Sequence, residues 1–236
     1  MSDDKTRLPS QPRSAEVDAF LRDLRRAPAP RTGGGRGRLI FALDATASRE
    51  PTWDRACHIQ GEMFEATAAL GGLDVKLLYY RGFNECKASR WMTNAADLHR
   101  AMRGVSCLGG QTQIERVLQH ALDETKRQRV NALVFVGDAM EEEADFLCRL
   151  AGELGLNGVP VFLFHEGSNP IAGRAFQQIA KLSRGAYLRF DLASADRLKD
   201  LLAAVAVYAA GGYRALAAYG DKKGGEVLRL TSQLRG

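Results

Sequence analysis

Between residues 38 and 191, short apolar runs alternate with stretches whose apolar positions recur every three or four residues. That alternation is the pattern of parallel strands joined by crossover helices. The predicted strands are 39–44, 73–80, 132–138, 159–165 and 186–191, and several are continuous runs of Val, Leu, Ile and Phe, as expected of strands buried on both faces. Helices fill the gaps between them. Pro51 opens the first, Ile59, Met63 and Leu70 line its inner stripe, and Gly71-Gly72 closes it. Ile114, Val117, Leu118, Ala121, Leu122 and Thr125 form a second stripe, and Phe146, Leu147, Leu150 and Leu154 a third. The stretch "YYRGFNECKASRWMT" at 79–93 has no helical period; it fits a hairpin whose turn, "RGFNE", returns the chain as a short edge strand at 89–92. The fold class that follows is α/β: a doubly wound, Rossmann-like, mostly parallel sheet with one short antiparallel edge strand and helices on both faces.

The flanks read differently. Residues 14–27 place Val17, Phe20, Leu21 and Leu24 on one helical face behind a capping Ser14, and Pro28, Pro30 and three glycines follow as a linker. From Gly211 the chain is Gly-rich and basic, with a short helix expected at 213–218. The expected division is an N-terminal arm at 1–37, an α/β domain at 38–210 and a C-terminal tail at 211–236.

Composition narrows the function classes. A chain of 236 residues with 45% hydrophobic and 26% charged residues is ordinary for a globular protein, and no apolar run is long enough to cross a bilayer. The polar N-terminus does not resemble a secretory signal, so a cytoplasmic protein is expected, with no membrane partner. The net charge of +5 is concentrated in 32–38 and 221–236, and no aromatic residues interleave with basic ones as a stacking platform requires. Nucleic acid is therefore not the expected partner. Cys57, Cys86, Cys107 and Cys148 are widely spaced and the four histidines are isolated, which argues against a zinc site.

The chemistry gathers at the strand ends. In doubly wound sheets, ligands bind beyond the carboxyl ends of the strands, where the strand order reverses. The first strand ends in Asp44-Ala45-Thr46-Ala47-Ser48, a later loop reads Gly109-Gly110-Gln111-Thr112, and the strand from Ala132 ends in Gly137-Asp138. Asp44, Thr46, Ser48, Thr112 and Asp138 offer hard oxygen donors only, which select Mg²⁺, with Mn²⁺ or Ca²⁺ as alternatives. Five such groups leave an octahedral ion an open position that an incoming carboxylate fills. Simpler roles compete for the same residues. Ser48 suits the cap of the helix that Pro51 opens, Thr112-x-x-Glu115 has the spacing of a capping box, and Glu141, Glu142 and Glu143 suit the first turn of the helix after them.

These residues resemble the metal-ion-dependent adhesion site of von Willebrand factor type A (vWA) domains, whose motif is Asp-x-Ser-x-Ser, a threonine in a second loop and an aspartate after the fourth strand. Thr46 stands where serine is usual. The resemblance covers roughly residues 38–210 and accounts for the antiparallel edge strand. It implies direct ligation by Thr46, Ser48 and Thr112, with Asp44 and Asp138 direct or through water. It also implies a partner protein that supplies a Glu or Asp, in the intracellular members an AAA-type ATPase or a multiprotein assembly. The expected function is a metal-dependent interaction module and not an enzyme. Two alternatives remain: a Mg²⁺-dependent phosphohydrolase of haloacid-dehalogenase type, which needs a second acid where Thr46 stands, and non-specific RNA binding through the Arg/Gly linker and basic tail.

Overall fold

The computed structural model describes residues 36–51, 53, 63, 66–67, 72–190 and 195–223, with Ala19 and Arg22. The remainder of the expected N-terminal helix, most of the helix opened by Pro51 and the last residues of the chain lie outside the described residues.

Six strands form one sheet: β1 (Gly37–Asp44), β2 (Leu73–Arg81), β3 (Glu85–Met92), β4 (Ala132–Gly137), β5 (Val161–Glu166) and β6 (Ala186–Phe190), in the order β3-β2-β1-β4-β5-β6. All pair in parallel except β2 with β3. The helices are α1 (Ala95–Arg103), α2 (Ile114–Arg127), α3 (Ala144–Leu156), α4 (Pro170–Leu182) and α5 (Ala195–Lys223), and a 3-10 turn, Ala47–Arg49, follows β1.

Strand periodicity sorts the core into two layers. Leu39, Phe41 and Leu43 of β1 point to the face covered by α1 and α5, where Leu98, Met102, Val205 and Tyr208 pack with Trp53 and Met63. Ile40 and Ala42 point to the opposite face, against Val117, Leu118, Leu147, Leu150 and Phe176 of α2, α3 and α4. Because every residue of β1 is buried, the strand reads as a continuous apolar run instead of an alternating one. Two helix starts carry the expected chemistry: the Asn94 side chain accepts from the Asp97 amide at the start of α1, and Asn169 accepts from Ile171 and Ala172 ahead of α4.

Two elements differ from expectation. The edge strand begins at Glu85 and not at 89, because the turn takes only residues 82–84 and pairing resumes at once with Arg81 opposite Glu85. The short helix expected at 213–218 is the second part of the α5 stretch. Gly212, at φ 71° and ψ −167°, kinks it, and only glycine adopts such a conformation without strain. Beyond the kink Leu216 returns to the core. Among the described residues no helix is long and apolar enough to cross a membrane.

Candidate metal centre

β1 and β4 are neighbours whose chain connections leave in opposite directions, so their carboxyl ends mark the point where the strand order reverses. Asp44 ends β1 with no solvent exposure. A buried carboxylate needs donors, and it has two: the Thr46 amide to Oδ1 at 2.8 Å and the Tyr80 hydroxyl to Oδ2 at 2.8 Å. Burial raises the Asp44 pKa; the Thr46 and Tyr80 bonds oppose that rise, and the charge of Asp138 adds to it. Past Asp44 the chain is tied down on both sides, Ala45 N donating to Tyr80 O at 2.9 Å and Leu108 N to Ala45 O at 3.0 Å. Thr46, buried, and Ser48, exposed, then bring their hydroxyl oxygens within 3.1 Å of each other. Ser48 lies inside the 3-10 turn, and Thr46, the residue ahead of that turn, makes no side-chain cap.

The Thr112 loop is held by acids from the loop after β4. The Thr112 hydroxyl donates to Glu142 Oε2 at 2.6 Å and accepts from the Glu141 amide at 2.9 Å, while its own amide donates to Glu141 Oε2 at 3.0 Å. The Ile114 amide, at the start of α2, also donates to the Glu142 carboxylate. Glu142 therefore does the capping that the Thr112-x-x-Glu115 spacing suggested; Gln113, the residue before the helix, makes no side-chain cap. The expected role of the acidic run in its own helix changes too, since Glu141 and Glu142 face back across the gap to α2 instead of serving the first turn of α3. A hydroxyl that donates once and accepts once keeps one lone pair. The loop itself depends on a close approach: a Cβ on Gly110 would lie 2.0 Å from Gly82 O, so glycine at 110 lets the two loops touch.

Asp138 follows β4, and its Oδ1 is buried with no hydrogen-bond partner. Its charge acts on Asp44, and on Tyr80 together with the charges of Asp44 and Glu142, so acids of both loops surround the phenol. Burial and these acids push the Tyr80 pKa well above its ordinary value. Arg49 is buried nearby, at 2% exposure, and pairs with Glu166 at the end of β5. His165, in β5, is also buried, its Nδ1 2.9 Å from the Tyr187 hydroxyl.

Among the described residues no three His, Cys, Asp or Glu side chains are grouped to hold a metal ion. A cation here would therefore rest largely on hydroxyl oxygens, and the residues fit that demand. Adjacent ligands on an octahedral ion with bonds of 2.0–2.1 Å lie about 2.8–3.0 Å apart, and neighbouring ligands of a seven-coordinate Ca²⁺ about 2.7–3.1 Å apart. The Thr46 and Ser48 oxygens, hydrogen-bonded at 3.1 Å, are close enough to share one ion of either kind. The bare Asp138 oxygen is the buried polar atom that a cation, or water bound to one, would satisfy.

No family model matches the sequence, and no curated protein matches it. Solved structures do resemble the fold. The VWA domain of SpRpn10 superposes with a TM-score of 0.54 at 14% identity, over 66% of this chain and 88% of that one. The chain has a von Willebrand factor type A fold. A von Willebrand factor type A protein from Catenulispora acidiphila gives 0.56 at 15% identity, over 72% of this chain and 42% of its own. The mussel byssus proximal thread matrix protein 1, in a form with a zinc-occupied MIDAS motif, gives 0.55 at 16% identity, over 73% of this chain and 45% of its own. The vWA fold accounts for the one antiparallel edge strand in an otherwise parallel sheet. Sequence reasoning placed Asp44, Thr46, Ser48, Thr112 and Asp138 on three loops at the same edge of this fold. It missed Tyr80, Arg49 and the bracing role of Glu142.

Proposed function

We propose that this chain is a metal-dependent protein interaction module that holds a divalent cation, Mg²⁺ in the first instance, between the loops after β1 and β4 and ahead of α2. The observation that carries the reading is the buried, unpartnered Asp138 Oδ1, whose charge acts on Asp44, together with the Thr46 and Ser48 hydroxyls 3.1 Å apart in the loop that follows Asp44. Thr46, Ser48 and Thr112 are the direct ligands. Asp44, both of whose oxygens already accept hydrogen bonds, supplies charge and orients the Thr46 loop. Glu142 accepts the hydrogen bond of the Thr112 hydroxyl and the Glu141 amide uses one of its lone pairs, which leaves the other for the ion. A bound cation supplies an electrophile for an acidic side chain of the partner, and the exposed Ser48 edge is where that acid enters.

The zinc-occupied MIDAS of the mussel protein supports a cation at this edge of the fold. The partner is a protein bearing an accessible Glu or Asp, of the AAA-type ATPase or multiprotein-assembly class. An enzymatic phosphohydrolase reading is disfavoured because Thr46 occupies the place of the required second acid, and a threonine hydroxyl does not exchange a proton near neutral pH. The test is affinity capture from lysate in Mg²⁺ and in EDTA, with wild type and Asp44→Ala in parallel. Partners retained by wild type in Mg²⁺ and absent from the other three samples support the reading; the same partners in all four samples refute it.

A further inference from the structure

Arg49 stands directly after Ser48 and closes the 3-10 turn, its amide donating to Thr46 O at 3.0 Å. It is among the largest fully buried side chains of the protein. A buried guanidinium needs counter-charge, and Glu166 at the end of β5 meets it in an ion pair, the Glu166 side chain being 12% exposed. The pair crosses from the loop after β1 to the end of β5, two strands away in the sheet. The charges of Asp44 and Asp138 both act on this fixed positive charge. The turn after β1 therefore carries an exposed hydroxyl, Ser48, next to a buried cation, Arg49.

The consequence concerns the ion. Asp44 and Asp138 are the two aspartates that would draw a divalent cation into the site, and part of their field already falls on Arg49. A cation entering beside them meets a resident positive charge at the reduced dielectric of a buried site, where charges act more strongly than in water. Glu166 moderates that repulsion by holding the guanidinium.

Resting on the metal-site reading, we infer that Arg49 sets the cation affinity of this site: it stands in for part of the metal's charge when none is bound, and the metal binds against it, with Glu166 controlling the strength of that opposition. The sign follows from position: Arg49 directly follows Ser48 and is acted on by Asp44 and Asp138, whereas Glu166 stands at the end of β5, two strands from β1, so the guanidinium outweighs the carboxylate at the site. Removing the Arg49–Glu166 pair together leaves more of the aspartates' field to the metal, whereas removing Glu166 alone keeps the guanidinium and takes away the negative charge that moderates it.

The test is calorimetric titration of the full chain with Mn²⁺ alone, on wild type, Asp138→Ala, Glu166→Gln and the Arg49→Met/Glu166→Gln double variant, each checked for folding by circular dichroism. The double variant binds Mn²⁺ roughly tenfold more tightly than wild type, and Glu166→Gln roughly tenfold more weakly. A purely structural ion pair would lower the melting temperature of both variants without moving the affinities in opposite directions. A double variant that binds no more tightly than wild type overturns the inference while leaving the site itself standing, provided that Asp138→Ala abolishes the wild-type signal. If the double variant fails to fold, Glu166→Gln decides, and an unchanged or tighter Mn²⁺ affinity overturns the inference. Absence of binding in every chain removes the site reading and the inference together.

Discussion

Replacing Tyr80 with phenylalanine isolates one bond at the base of the candidate site. The ring stays, with its stacking on Phe135 at a centroid distance of 6.3 Å, and only the hydroxyl that donates to Asp44 Oδ2 at 2.8 Å is removed. Both residues are fully buried, so no water replaces the lost donor. A hydrogen bond to a charged group contributes about 1.5–3 kcal/mol, which for a chain of this length corresponds to a fall in melting temperature of roughly 3–12 °C. The effect depends on pH with a definite sign. Burial raises the Asp44 pKa and the Thr46 and Tyr80 bonds pull it back, so losing the hydroxyl raises the folded value further. A group with a raised folded pKa contributes its stability below the unfolded value, about 3.9 for aspartate, and loses it as pH rises through the folded value. The stability gap between Tyr80→Phe and wild type is therefore smallest near pH 4 and opens toward pH 8. Equilibrium urea denaturation in EDTA at both pH values measures it. A gap that is equal at the two pH values, or below about 0.5 kcal/mol at pH 8, refutes the view that Asp44 is an ionised carboxylate fixed by Tyr80.

Other substitutions separate scaffold from site. Thr112→Val keeps the shape but strips the bonds to Glu142 and Glu141, so stability falls by about 1–3 kcal/mol and Mn²⁺ binding disappears in calorimetry, whereas Thr112→Ser keeps both. Gly110→Ala forces a Cβ against the Gly82 carbonyl and parts the two loops, so a destabilisation of about 1–3 kcal/mol by thermal melting accompanies loss of the metal signal. Thr46→Ser removes one methyl group, retains the oxygen paired with Ser48, and leaves Mn²⁺ affinity within about threefold of wild type. Far from the site, Glu124→Gln breaks a buried network in which the carboxylate meets Lys76 Nζ at 3.0 Å and Trp91 Nε1 at 3.1 Å; urea denaturation shows a loss of about 3–5 kcal/mol with metal binding intact.

The sheet was legible in the sequence because its central strands are buried on both faces, so their residues form unbroken apolar runs bounded by polar turns. The hairpin was legible from the loss of helical period, but the edge strand was read too short because residues 85–88 are exposed or half-buried and carry no apolar signature. The helix at 213–218 was expected, but as part of a tail, because Gly211-Gly212 read as the end of the domain although the chain only kinks there and Leu216 rejoins the core. At the site, the five oxygen-bearing residues stood out because each ends a strand or precedes a helix. Their supports did not. Tyr80 reads as one more strand residue, Arg49 as a surface arginine, and Glu142 as a helix-start acid, since its partner Thr112 lies thirty residues upstream and no local spacing encodes a contact across two loops.

The central claim is that three loops of this vWA fold share one divalent cation. Crystals grown with Mn²⁺ and measured for anomalous scattering test it most directly. The account predicts one strong peak within bonding distance of the Thr46, Ser48 and Thr112 hydroxyl oxygens, with Asp138 facing it directly or through water. A map at saturating Mn²⁺ with no peak among those oxygens contradicts it.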